Sequence, residues 1–283
     1  MSKYASCLTA AAMLGLTLPM GCSPLDWPAA PLYDEPTNDP GWVPPSTVQQ
    51  AMAAIKGHYA HYDVVAYEGK IQTGTMRTFV VSYGFTDFAK VGNKLIEYDR
   101  FCHAEHKINQ EGVTTSFNDA ATQAIRPRMA LVNVYQEDGS WKIWRPATPT
   151  LIGIDGNPDL PLSMDPNDPN INDADRDGHP GVTVDMKLGG AVKAQIYIAR
   201  REVFQSDLTL YSYGTLFGHV VDDSEQLVVG ATMAILAQPN NPEQYSDLSL
   251  SPIMLIPIPR ELDTCEELMA NRDALFPPAP EFQ

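Results

Sequence analysis

Basic residues are scarce in this 283-residue chain: 19 Lys and Arg stand against 35 Asp and Glu, a formal net charge of −16. Such a surface repels nucleic acid and anionic lipid headgroups, which excludes both as direct ligands and makes a divalent cation the more natural partner. Long apolar runs are missing too. The best candidate, residues 5–20, is broken by Ser6, Thr9, Thr17 and Pro19 and falls short of the about 20 apolar residues that a membrane-spanning helix needs. The chain carries no Gly-x-Ser-x-Gly elbow, no HExxH helix and no phosphate-cradling glycine loop, so the familiar hydrolase and nucleotide-binding signatures are absent. Paired carboxylates abound in so acidic a chain and identify no glycosidase by themselves.

What stands at the N-terminus is a basic start with Lys3, a short apolar middle and small residues before Cys22, the order of a secretory signal over residues 1–21. The stretch Leu18-Pro19-Met20-Gly21-Cys22 resembles the bacterial lipobox, with Pro19 and Met20 where that motif usually places an apolar and a small residue. The resemblance implies lipidation at Cys22 and attachment to a membrane, and Ser23 after it implies delivery to the outer membrane; ordinary cleavage nearby would instead leave a secreted soluble protein. Signal removal takes away Lys3 and no acid, moving the charge from −16 to −17. Of four cysteines, Cys7 departs with the signal and Cys22 is acylated, so Cys102 and Cys265 are left to pair in an oxidising compartment. Two buried free thiols are the alternative. A disulfide there closes a loop of over 160 residues, which on the chain-entropy model stabilises by roughly 5 kcal/mol.

Residues 22–46 are Pro-rich and acidic and read as an extended, loosely packed tether. Residues 47–56 suit a short helix with Val48, Met52 and Ile55 on one face. A first β segment over 47–150 contains strands at 59–67, 77–85, 94–107 and 129–136, and Glu137-Asp138-Gly139-Ser140 marks a tight hairpin. An acidic loop at 151–181 separates this from a second β segment at 182–283, with short strands at 182–188, 194–201, 207–213, 215–221 and 227–236. Prolines suggest an edge strand at 252–259, and residues 261–276 suit a C-terminal helix. The expected fold is mainly β: an antiparallel barrel or sandwich, or two β subdomains, with a short helix near each end.

The sharpest local signal is Asn172-Asp173-Ala174-Asp175-Arg176-Asp177-Gly178-His179. Carboxylates two residues apart converge on one hard cation when the backbone curls, and glycine after the third permits the turn. Oxygen donors select calcium over zinc or copper. The expected ligands are the side chains of Asp173, Asp175 and Asp177 and the backbone carbonyl of His179. The pattern resembles the first half of the EF-hand loop and the calcium loops of thrombospondin-type repeats. It departs at the twelfth position, where Val184 replaces the bidentate Glu; Asp185 is the candidate to close the shell. Asp165, Asn167, Asp168 and Asn170 offer further oxygens. His103 and His106 fall on opposite faces of a strand, and they, with His58 and His61, read as ordinary histidines.

The run Asp-x-Asp-x-Asp-Gly-His-Pro-Gly-Val-Thr-Val, with residues 194–201, 215–218 and 264–276, resembles uncharacterised lipoproteins of myxobacteria. This resemblance implies an envelope protein without supplying a reaction. Gly57-His58-Tyr59 after a short helix is faintly similar to the opening strand of lipocalins. The expectation is a membrane-anchored envelope lipoprotein with a calcium-stabilised β domain in a non-enzymatic binding or structural role, its partner an envelope protein or a glycan. A small-ligand carrier and a calcium-dependent hydrolase are the alternatives.

Overall fold

The computed structural model describes residues 25–71 and 74–283; the signal and Cys22 lie outside the described residues. Helix α1 (Val48–Ile55) is capped by the Thr47 side chain, which accepts from the Gln50 N–H, and buries Ala51, Met52 and Ile55. Strand β1 (Gly57–Ile71) pairs along its whole length with β2 (Gly74–Val91). Strand β3 (Lys94–Ile108) follows, with a bulge opposite Tyr83 and Gly84, then β4 (Val113–Phe117) and the single-turn helix α2 (Asp119–Gln123). Strands β5 (Arg128–Glu137) and β6 (Ser140–Ile152) form the expected hairpin. Its turn has φ 48° at Asp138 and 79° at Gly139, the two positive values of a type I′ turn.

Beyond the acidic loop come β7 (Val182–Leu188), β8 (Val192–Leu210), β9 (Leu216–Asp222), β10 (Glu225–Ala231), the two-residue β11 (Glu243–Gln244), β12 (Pro252–Pro257) and helix α3 (Cys265–Leu275). Pairing runs β8-β6-β5-β3-β2-β1-β12-β9 and returns from β9 to β8, antiparallel throughout. Eight strands thus close a barrel, a size whose interior side chains can fill. At Gly218 on β9 an added Cβ would run into the Asp207 carbonyl of β8; only glycine lets the closing strands approach this closely. The first part of β8 leaves the barrel and pairs with β7 and β10, and β7 pairs with β4, giving a small flanking sheet.

Three expectations are corrected. The two strands expected at 194–201 and 207–213 are one, β8, because Arg200 and Glu202 point into the barrel rather than ending the strand. The 252–259 segment is no edge: β12 lies between β1 and β9, with Pro252 and Pro257 confined to its ends. Residues 25–46, read as loosely packed, are laid on the barrel. Leu25 N–H donates to the Asn109 carbonyl, Asp26 and Gln283 exchange backbone hydrogen bonds, and Trp27 packs on Phe79, Tyr245 and Phe282. The prolines restrict the unfolded chain, so these few aromatic anchors suffice to hold the segment.

Two cores result. Inside the barrel Tyr59, Phe88, Leu95, Ile143, Leu208 and Leu216 meet α1, which plugs that end. Outside it, Tyr62, Phe79, Val81, Phe85 and Leu268 join α3 and the chain ends over β1, β2 and β12. The disulfide Cys102–Cys265 ties α3 to β3 as expected. No helix among the described residues is long and apolar enough to cross a membrane.

Candidate functional site

The 151–181 loop is held by a local core of Ile154 and Leu162 against Ala199 and Leu227. Bridges Ile154 to Ile171 and Asp173 to Gly181 fold it back on itself. Gly181 has φ 85°, and a Cβ there would strike the Ile198 carbonyl, so glycine is required where the loop meets β8. This closure curls residues 173–178: the Asp173 carboxylate accepts from the Asp177 and Gly178 N–H groups at 3.0 and 2.9 Å, and Asp177 accepts from His179 N–H at 2.9 Å.

Asp173, Asp175 and Asp177 each present a carboxylate oxygen, all within 4.8 Å of one another, an arrangement able to hold a metal ion. Oxygens around one calcium, each 2.3–2.6 Å from it, lie no more than about 5 Å apart. Asp173 and Asp177 are exposed while Asp175 is buried. Asp175 Oδ2 accepts from Thr183 N–H at 3.0 Å and from the Asn118 amide at 3.3 Å, whereas Asp175 Oδ1 is buried with no partner. An orphaned buried carboxylate oxygen costs free energy unless something answers it, and a cation bound by its neighbours would do so. The Asp177 carboxyl lies below the usual range: slight burial opposes this, and the nearby Thr183 hydroxyl and the hydrogen bond from the His179 N–H outweigh it. His179 stacks on Tyr197 with ring centroids 4.5 Å apart. Asp185 stands outside the three-carboxylate group and accepts from the Gln195 amide at 3.0 Å. Asp165 and Asp168 accept from the N–H groups of Asn167 and Asn170, forming consecutive local turns.

A second charged region has no counterpart in the expectations. Alternate residues of the barrel strands bring His61, Asp63, Glu97, Asp99, Arg128, Arg145, Glu202 and Asp222 into the lumen. Arg145 lies 2.9 Å from Glu97 and 3.4 Å from Asp99. His61 bridges Asp63 and Thr86, both at 2.8 Å, and the Thr86 hydroxyl donates to Asp99 at 2.7 Å. Burial and the adjacent Asp99 push the Glu97 carboxyl well above the carboxylate range despite Arg145. Asp99 goes the other way: burial opposes, but Arg145, His61 and the Thr86 hydroxyl hold it down. Glu97 is therefore the neutral partner and Asp99 the ionised one. Nearer the other mouth, Arg200 lies 3.8 Å from both Glu202 and Asp222, and the Tyr67 hydroxyl donates to Asp222.

His58 is buried too, between Asp87 at 3.0 Å and the Leu262 carbonyl at 3.0 Å; both it and His61 are interior rather than surface groups. His103 and His106 do face opposite sides, His103 toward Asp119 and His106 toward Thr115. Comparison with protein-family models, curated proteins and solved structures finds no match for the chain.

Proposed function

We propose that this chain is an exported lipoprotein, acylated at Cys22 and held at a membrane, whose barrel is stabilised by calcium in the 173–177 loop and serves a non-enzymatic binding or structural role. The observation that carries the calcium reading is Asp175 Oδ1, buried and unpartnered inside a three-carboxylate group. Asp173, Asp175 and Asp177 would hold the ion with the His179 carbonyl; Asp185, outside this group, is held by the Gln195 amide. Calcium here is structural, because the loop sits on the flanking sheet and fastens it: Asp175 also holds Asn118, which caps α2. The signal-like order of residues 1–21, the lipobox-like stretch before Cys22, Ser23 and the similarity to myxobacterial lipoproteins support outer-membrane anchorage. Leu25 is fastened to the barrel and stands three residue steps after Cys22, at most about 11 Å of chain. The barrel face around Asn109 and Gln283 would then lie close to the bilayer.

Calorimetric titration of the full chain with calcium tests the first half of this reading. One saturable site, lost in Asp175→Asn, is expected; absence of saturable binding overturns it. Metabolic labelling with an alkyne fatty acid tests the second half, and labelling that persists in Cys22→Ala contradicts the anchor.

A further inference from the structure

Where the barrel lumen runs out onto the flanking sheet there is a cavity of about 70 Å³ lined on the barrel side by Arg128, Arg200 and Glu202 and on the other by Phe117, Ile125 and Ile198. A water occupies about 10–15 Å³ on this measure, so the space admits roughly five to seven heavy atoms. We propose that this cavity binds a short-chain monocarboxylate, its oxygens on the free edge of Arg128 and its alkyl chain against the flanking-sheet core.

Arg128 decides the chemistry. Its side chain is 4% exposed, and its guanidinium carbon lies over the Phe101 and Phe204 rings, each centroid 4.6 Å away. Packed against these rings, the group offers a ligand its edges. Nη2 has Glu202 at 3.7 Å, while Nε and Nη1 are buried with no partner. Buried guanidinium N–H groups demand acceptors, and a planar oxyanion approaching edge-on supplies them with charge as well as geometry. The sign of the lining agrees, with two guanidiniums against one carboxyl. That carboxyl is itself weakened as a counter-charge: burial raises the Glu202 pKa against the pull of Arg128 and Arg200. The third guanidinium of the lumen, Arg145, has carboxyl groups closer to it, Glu97 at 2.9 Å and Asp99 at 3.4 Å, and does not line this cavity. The apolar half of the cavity favours a carboxylate with a short hydrocarbon tail over a bare inorganic anion, and the small volume excludes a long-chain lipid.

The test is titration of the full chain with ¹³C-labelled butyrate followed by NMR, with n-butylammonium as the probe of opposite charge. Saturable butyrate binding with Kd about 1 mM or tighter is expected, with no response to n-butylammonium. Arg128→Gln should weaken it by roughly tenfold or more. Because that variant removes a buried charge, Ala104→Leu keeps the test decisive: Ala104 lines the cavity, and the larger side chain fills it while leaving every charge in place. Arg126→Ala, at an exposed arginine paired with Asp155, should bind as the wild type does. Butyrate that fails to saturate, binds Ala104→Leu undiminished, or is matched by n-butylammonium overturns the proposal, leaving ordered water as the partner of Arg128. Neither result bears on the calcium site, which has its own titration.

Discussion

The acidic side chains of the 173–177 loop and those of the barrel lumen face the same difficulty, crowded negative charge, and meet it in opposite ways. In the lumen cationic side chains answer the acids: Arg145 reaches Glu97 and Asp99, Arg128 approaches Glu202, Arg200 lies between Glu202 and Asp222, and His61 meets Asp63. In the loop the three carboxylates are answered by backbone N–H groups and one amide. Those dipoles satisfy individual oxygens but do not cancel the charge. A buried acid with an arginine needs no further ion; a cluster without one calls for a cation from outside. The chain thus carries one acidic centre with internal cations and one whose carboxylates could hold a metal ion.

The sharpest way to break this contrast is to remove the internal cation. Arg145→Met should destabilise the chain by about 3–5 kcal/mol in urea unfolding, because Asp99 is left buried and uncompensated, and calcium should not restore it. Acid should distinguish the regions next. Burial, with Arg200 adding to it, pushes the His106 pKa down from 6.5 to about 4. A depressed histidine pKa contributes stability that is present above pH 6.5 and lost as pH falls toward 4. The loss is at most about 3 kcal/mol, reduced because the ring is only partly shielded from solvent. The urea midpoint of His106→Gln should therefore change less than that of the wild type across this window, and parallel curves would contradict the assignment. The smallest effect belongs to Glu97→Gln. Glu97 is held neutral, so the amide should cost about 1 kcal/mol or less in the same assay; a loss as large as that of Arg145→Met would show that Glu97 is ionised.

What the sequence made legible follows the same division. The three-carboxylate loop, the Asp138-Gly139 turn and β7 are local: their signals lie in consecutive residues and need no partner strand. The pairing of Cys102 with Cys265 followed from arithmetic rather than geometry. The lumen was illegible because alternation does not say which face is inside. On β3, Leu95, Glu97, Asp99 and Phe101 share the inward face, while Ile96 and Tyr98 point out. Read along the chain, each face mixes apolar and charged residues, so the acids pass for solvent positions. The same ambiguity split β8 at Arg200-Arg201-Glu202 and hid the closure, which depends on β12 meeting β1, more than a hundred residues earlier, and on β9 joining β12 to β8.

Unfolding of the full chain in EDTA and in calcium at about 100 times its dissociation constant tests the contrast most directly, with Asp175→Asn and Glu97→Gln alongside. Calcium should raise the stability of the wild type and of Glu97→Gln by about 2.7 kcal/mol, or roughly 5–10 °C in Tm, and leave Asp175→Asn unmoved. A wild-type chain equally stable in EDTA and in calcium would contradict the account, because its loop carboxylates would then stand crowded with no cation to answer them.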